Sequence, residues 1–229
     1  MKATAMSRIW LRTRLSVARL LHDRSGIAAT EFAIIVPVML VMFFGTVEIS
    51  SGVAVDRKVT LMARTLSDLT SQAAPVTQNS RDAPIVDSYL QNVFTASLAI
   101  IYPYAPDPTQ ARISEIYIDS NRVATIQWSK AATVATGATQ ATLTTSTRHF
   151  GDVVTTLVPS ALLIAQTYLI LSEVQYLYTP TVGYVMSKTT GVNLSDSAYT
   201  RPRQAVCVTY GGKPALGNPN PPGTPCPTP

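Results

Sequence analysis

Residues 27–47 read IAATEFAIIVPVMLVMFFGTV, and this stretch decides how the rest of the chain is interpreted. It holds 21 residues and a single charged side chain, Glu31. As an α-helix it would be about 31 Å long, which matches a hydrocarbon core about 30 Å thick. Its polar residues form no stripe along one face, which argues against a buried core helix. The stretch therefore predicts a transmembrane helix that is bent at Pro37, a residue that membrane helices tolerate.

The excess charge of the chain lies before this stretch. The formal net charge is +5, and residues 1–26 hold six basic side chains and one acid, which accounts for the whole excess. The positive-inside rule then places a basic leader in the cytoplasm and the chain from about residue 50 outside it. Because the later residues have balanced charges and no basic face with groove-reading aromatics, we expect no nucleic-acid binding. An ordinary cleaved signal peptide fits less well, since the apolar run is too long, although Ser50, Ser51 and Gly52 are small.

The boundary between leader and helix reads SGIAATEF, with Gly26 five residues ahead of Glu31. This resembles the leader that prepilin peptidases cut after the glycine, so that the glutamate becomes the fifth residue of the mature chain and Phe32 the sixth. A carboxylate in a bilayer is costly and implies a partner. The resemblance implies that Glu31 pairs with the free amine of Ile27 on a neighbouring subunit. A glutamate that simply reaches interfacial water is the alternative.

The longer segment GIAATEFAIIVPVMLVMFFGTVEISSG resembles the TadE-like family of tight-adherence (Flp) pilus assembly systems. The resemblance extends over about residues 24–70, and AYTRPR at 198–203 followed by Cys207 is similar to the family's ending. The positions that carry the pattern are Gly26, Glu31, Phe32, Ala33, Pro37, Gly45 and Glu48.

This resemblance implies a pseudopilin, or minor pilin. Because the sequence holds no recognisable catalytic or cofactor motif, we expect no enzymatic activity and no cofactor. Its expected partners are a prepilin peptidase that cuts between Gly26 and Ile27, other pilins or pseudopilins that contact Glu31 and Phe32, and inner-membrane pilus assembly proteins. Its expected location is the bacterial inner membrane, with one span, a cytoplasmic N-terminus and a periplasmic domain, or the pilus itself. The alternative is an uncleaved single-pass protein whose periplasmic domain binds a partner or ligand.

The chain divides into five segments with an α+β architecture. Residues 1–26 are the leader, 27–47 the transmembrane helix, 48–72 a helical extension, 73–210 an extracytoplasmic domain and 211–229 a tail rich in Pro and Gly. Apolar residues spaced i, i+3, i+4 after the span predict one helix over about 27–72, as in pilins. The outer domain is expected to pack helices on an antiparallel sheet.

Within the outer domain, Asp82 and Pro84 suggest the start of a second helix over 82–102, and residues 102–108 form a loop. Alternating residues at 113–120 and 123–131 around the turn DSNR predict a hairpin. Residues 131–147 are expected to be an exposed loop. The apolar run 158–178 predicts a buried helix or a turn that passes into a strand, and 182–184 and 205–210 are short strand candidates.

Few residues suggest chemistry. Cys207 and Cys226 do not have CxxC spacing; they are either free thiols or a disulfide around an 18-residue loop, and the disulfide suits an oxidising compartment. Pairing with another subunit also stays open. His149 near Asp152 could act as a base, but no nucleophile motif accompanies it, so we expect no catalysis there. No metal-binding motif occurs, and DSN at 119–121 is a turn signal.

Overall fold

The computed structural model describes residues 25–75, 81–107, 109–180, 191–211 and 226. Helix α1 spans Ser25–Ser71 and includes Pro37. It confirms the long N-terminal helix that the spacing of apolar residues predicts. The chain separates into two units, Met1–Ile49 and Ser50–Pro229, so the first half of α1 belongs to one unit and the second half to the other.

The second unit is built on an antiparallel sheet of five strands. These are β2 (Thr109–Ile118), β3 (Ala124–Val134), β4 (Ala141–Thr145), β5 (Thr167–Tyr178) and β6 (Val192–Thr200), in the spatial order β4-β3-β2-β5-β6. The hairpin of β2 and β3 is confirmed, with Asp119 accepting the backbone N–H groups of Asn121 and Val123 in the turn. The α+β class is therefore confirmed.

One face of this sheet packs against the second half of α1. Val55, Val59, Met62 and Leu66 are buried because their spacing places them on one side of the helix. They share a core with apolar side chains of β2 and β5, including Ile113, Ile170 and Val174. The hydroxyl of Ser172 donates to the carbonyl of Ala63 at 2.5 Å, which connects β5 directly to α1.

The opposite face is covered at one end by the segment 149–166. Ile116, Ile118, Ile126, Leu169 and Leu171 form a second apolar cluster there, together with Val158. The segment is held by backbone hydrogen bonds from Gly151 N–H to the Ile126 carbonyl and from Val154 N–H to the Ala124 carbonyl. At the other end of this face, the side chains are polar.

A second, two-stranded sheet corrects the expected helix over 82–102. Residues Asp82–Ile85 form strand β1, which pairs in parallel with β7 (Cys207–Tyr210), and helix α2 begins only at Asp87 and ends at Leu98. The expectation was wrong because the strand depends on a partner more than 120 residues later in the chain. The local sequence around Asp82 and Pro84 does not indicate that partner strand. Beyond α2, Ala99–Ile101 forms one 3₁₀ turn.

The exposed loop expected over 131–147 is also wrong in part. Strand β3 continues to Val134, β4 occupies Ala141–Thr145, and Ala132, Val134 and Ala141 are buried. Alanine and threonine supply little apolar signal, but threonine is β-branched and suits a strand. The apolar run at 158–178 forms a 3₁₀ turn, Ser160–Leu162, and then β5, as one of the two alternatives has it.

Strand β6 was not predicted at all, and the strand expected over 205–210 begins at Cys207. The strand candidate at 182–184, nearly all of the leader and most of the tail lie outside the described residues.

Candidate functional site

The residues that the leader motif singles out lie at the start of α1. Gly26, Ile27, Glu31 and Phe32 occupy its first two turns, and all four are exposed. Ile27 and Phe32 have 55% and 69% of their surface accessible. The hydroxyl of Thr30 donates to the carbonyl of Ile27 at 2.8 Å, which adds one contact within this first turn.

The apolar side chains that follow are also uncovered. Among the described residues, α1 is the helix long and apolar enough to cross a membrane, and none of its most apolar window is buried within the protein. The exposed residues include Ile34, Val38, Val41, Met42 and Phe43. A core helix of a soluble protein buries such side chains, whereas these require a membrane or partner helices to cover them. This half of α1 is therefore compatible with single-pass membrane anchoring.

Residues 26–67 match the family model of TadE-like protein. The match confirms the predicted resemblance over these residues, which are less than one fifth of the chain. We call residues 26–67 the TadE-like segment. It lies wholly within α1, and the sheet is outside it. Searches of the curated proteins and of the solved structures find no significant match.

The C-terminal part of the TadE-like segment packs against the sheet domain and forms hydrogen bonds with it. Besides its buried apolar residues, Lys58 donates through Nζ to the carbonyls of Ile100 and Tyr102 at 2.9 and 2.7 Å. Ser67 and Thr200 are joined through their hydroxyl oxygens at 3.0 Å, which brings the end of β6 to α1. The segment thus combines an exposed apolar half with a half that is part of a folded core.

A buried carboxylate connects the main sheet to β7. Glu115 on β2 accepts the backbone N–H of Val208 at 2.6 Å and the indole N–H of Trp128 at 3.1 Å. The same indole N–H lies 2.5 Å from the carbonyl oxygen of Val208. Burial raises the pKa of Glu115 to about 8, although the hydrogen bonds from Val208 and Trp128 act in the opposite direction. Sequence analysis missed this role, but Glu115 alternates in phase with the core residue Ile113, which is the available signal.

A second polar group lies at the other end of β7. Lys130 on β3 is buried, its Nζ is 3.5 Å from a carboxylate oxygen of Asp87, and it lies 4.7 Å from the ring centre of Tyr210. The Tyr210 hydroxyl donates to the same carboxylate. Burial raises the pKa of Tyr210, and the hydrogen bond and the charge of Asp87 raise it further. Strand β7 is therefore held by polar contacts at both ends.

The third polar group lies on the face of the sheet opposite α1. Glu173 on β5 accepts hydrogen bonds from Arg148 at 2.5 Å and from Arg112 at 3.3 Å, one on each oxygen. Buried serines continue this cluster, since the hydroxyl oxygens of Ser114 and Ser129 are 2.8 Å apart and those of Ser129 and Ser146 are 2.6 Å apart.

The remaining predicted residues are separate from these groups. Cys207 and Cys226 form a disulfide, with Cα atoms 6.0 Å apart. His149 is exposed and Asp152 is partly exposed, and Asp152 accepts the backbone N–H of His149 at 2.6 Å, which closes a turn. Within the described ranges, no group of three His, Cys, Asp or Glu residues is arranged to hold a metal ion.

Proposed function

We propose that this chain is a membrane-anchored pseudopilin-like protein that takes part in the assembly of tight-adherence (Flp, type IV-like) pili. The observation that carries the proposal is the match of residues 26–67 to TadE-like protein, because the matched residues include the exposed apolar half of α1. A helix of this kind lies in the membrane before assembly and needs neighbouring helices to cover it afterwards.

In this proposal, a prepilin peptidase cuts between Gly26 and Ile27. Glu31 then lies four residues from the new amine, and its charge pairs with the amine of a neighbouring subunit, with Phe32 beside it. The basic leader stays in the cytoplasm, and the sheet domain is periplasmic. The disulfide between Cys207 and Cys226 is in keeping with an oxidising compartment.

The proposed role is structural rather than enzymatic. It depends on contacts with other pilins or pseudopilins and with inner-membrane assembly proteins, either in the membrane complex or in the pilus. The polar groups at Glu115, Lys130 and Glu173 each have partners within the protein. Their contacts stabilise the fold, so no catalytic role is needed to explain them.

A deletion strain of the source organism tests this function. We expect the strain to lose surface pili, full-length chain to restore them, and Glu31→Gln to restore few or none because the intramembrane charge is absent. Asp56→Asn is the matched control, since Asp56 is an exposed acid on the same helix beyond the apolar stretch. Normal piliation in the deletion strain would contradict the proposed function. Full rescue by Glu31→Gln would contradict the proposed role of the carboxylate.

A further inference from the structure

The polar end of the sheet face opposite α1 contains a pocket that the proposed function does not use. Its volume is about 180 Å³. Arg112 and Glu173 lie next to each other across β2 and β5, and Ala131 on β3 leaves space beside Arg112. The remaining wall is hydroxyl and amide, formed chiefly by Gln110, Thr133, Thr144, Thr145, Thr147 and Gln175.

The charges of the salt-bridge cluster at this pocket do not balance. Glu173 is the acid among the lining residues, and both of its oxygens are already occupied, Oε1 by Arg148 and Oε2 by Arg112. One carboxylate compensates one guanidinium group, so the cluster of Arg112, Arg148 and Glu173 carries one excess positive charge. Arg112 and Glu173 line the pocket, and Arg148 lies outside its lining. The contact of Arg112 is the longer of the two, at 3.3 Å against 2.5 Å for Arg148.

The hydrogen-bond donors are also in excess. The Nε–H groups of Arg112 and Arg148 are buried and meet no acceptor in the described part of the chain. A buried donor without an acceptor is unfavourable, so the fold leaves this cluster incompletely matched. The side chain of Arg112 is 27% exposed, which leaves other N–H groups of its guanidinium open to the pocket.

We propose that this pocket binds a carboxylate group, held by Arg112 and by the threonine hydroxyls and glutamine amides around it. A carboxylate supplies the missing negative charge and accepts hydrogen bonds from the guanidinium N–H groups of Arg112 that remain open to the pocket. The pocket is large enough for a group the size of an acidic side chain. The carboxylate belongs either to a small free acid or to an acidic side chain of a polypeptide.

The test uses the full chain in detergent micelles, with acetate as the probe. Thermal unfolding is followed as sodium acetate replaces sodium chloride at constant ionic strength, so that general screening does not change. We expect a saturable rise of Tm with acetate, because a ligand that binds the folded state stabilises it. Arg112→Gln should abolish the rise while Glu173 keeps its contact with Arg148. Arg201→Gln, an exposed arginine outside the pocket, should leave it unchanged.

Glu173→Gln is the more informative variant, because it removes the carboxylate of the protein that competes with acetate for Arg112 and Arg148. We expect its apparent dissociation constant for acetate to fall by about tenfold or more, since two guanidinium groups then lack a carboxylate. A purely structural salt bridge would lower Tm in this variant without increasing its response to acetate. The inference is overturned if acetate acts no differently from chloride in both the wild type and Glu173→Gln, or if Arg112→Gln responds as the wild type does.

Two further probes distinguish the source of the carboxylate. A blocked tripeptide with a central glutamate is compared with its glutamine analogue and with acetate, and inorganic phosphate is tested in the same way. A glutamate peptide that binds more tightly than acetate assigns the site to a polypeptide side chain, and the reverse order assigns it to a small free acid. Phosphate that binds more tightly than every carboxylate probe would overturn the assignment to a carboxylate.

Discussion

Glu115 on β2 accepts the backbone N–H of Val208 on β7 at 2.6 Å, across 93 residues of sequence. The contact attaches the two-stranded sheet of β1 and β7 to the main sheet through a carboxyl group that is fully buried. It also makes the stability of the protein depend on pH in an unusual direction.

We predict that the contribution of Glu115 to the free energy of unfolding decreases as pH rises from about 5 to about 8. Burial raises the pKa of Glu115 from 4.5 to about 8 in the folded protein, so the unfolded chain loses this proton first. The folded state then binds more protons than the unfolded state, and stability falls by at most about 1.4 kcal/mol per pH unit. Well below pH 4.5 both states are protonated, and this contribution is constant.

Urea unfolding of the wild type and Glu115→Gln between pH 5 and 8 measures this effect. The difference between the two proteins isolates Glu115, because every other titrating group is shared. We expect the stability of the wild type relative to the Gln variant to decline as pH rises. If the wild type instead gains stability over Glu115→Gln as pH rises, the carboxylate is ionised in the folded protein, and its hydrogen bonds outweigh its burial.

Trp128→Phe should loosen β7 without emptying the core. The substitution keeps most of the buried ring but removes the indole N–H that lies between Glu115 and the Val208 carbonyl, so we expect a loss of about 1–3 kcal/mol. Hydrogen exchange of the backbone amides of Cys207–Tyr210 should speed up more than exchange in β5. Tyr102→Phe is the control, because that side chain is 78% exposed, and its effect should lie within about 0.5 kcal/mol. Unchanged exchange in β7 would show that the indole N–H of Trp128 does not help to hold the strand.

Much of the fold follows from local patterns, and the exceptions have two causes. The apolar spacing predicted α1, and the alternation around DSNR predicted the hairpin of β2 and β3, since both depend on residues near each other in sequence. Strand β1 was missed because its partner is β7, and β6 was missed because VNLSDSAYT has few apolar residues. An edge strand is paired on one side and needs little apolar signal.

The candidate sites divide in the same way. The motif from Gly26 to Phe32 was found because it is contiguous, and the family match covers it. The groups around Glu115, Lys130 and Glu173 each combine residues from separate strands or helices. Sequence spacing gives no indication that Arg112 and Arg148 share one carboxylate, since the strand register brings them together.

Because Lys130 is buried, we predict that removing its partner Asp87 lowers the free energy of unfolding more than removing the lysine itself. Asp87→Ala leaves the Lys130 ammonium group in a site where it is 8% exposed, with its nearest carboxylate removed, and should cost about 1–3 kcal/mol. Lys130→Met should cost less, because a thioether chain fills similar space without a charge. In the double variant, most of the cost of Asp87→Ala should disappear. Additive costs in urea unfolding would show that the two side chains act independently.

Substitution by alanine should change the free energy of unfolding in opposite directions at two glycines. Gly151 has φ of +82° with no heavy atom near the added Cβ, so Gly151→Ala should cost about 1–2 kcal/mol through backbone strain alone. Gly52 lies inside α1, where a Cβ would make an ordinary contact at 3.6 Å with the Tyr178 ring. Gly52→Ala should therefore stabilise the protein by about 0.5–1 kcal/mol. If both substitutions shift Tm in the same direction, the backbone conformations described for Gly151 and Gly52 would be contradicted.

The central claim is that the chain is processed as a pseudopilin, and the N-terminus of the mature protein tests it most directly. The protein is extracted from membranes of cells that contain the matching peptidase, and its intact mass and first residues are determined. The same chain from cells without the peptidase is the control. We predict a mature chain that begins at Ile27, which places Glu31 fifth, and an uncut chain in the control. A chain that keeps its leader in both cells would contradict the claim and leave a single-pass anchor whose outer domain binds a partner or ligand.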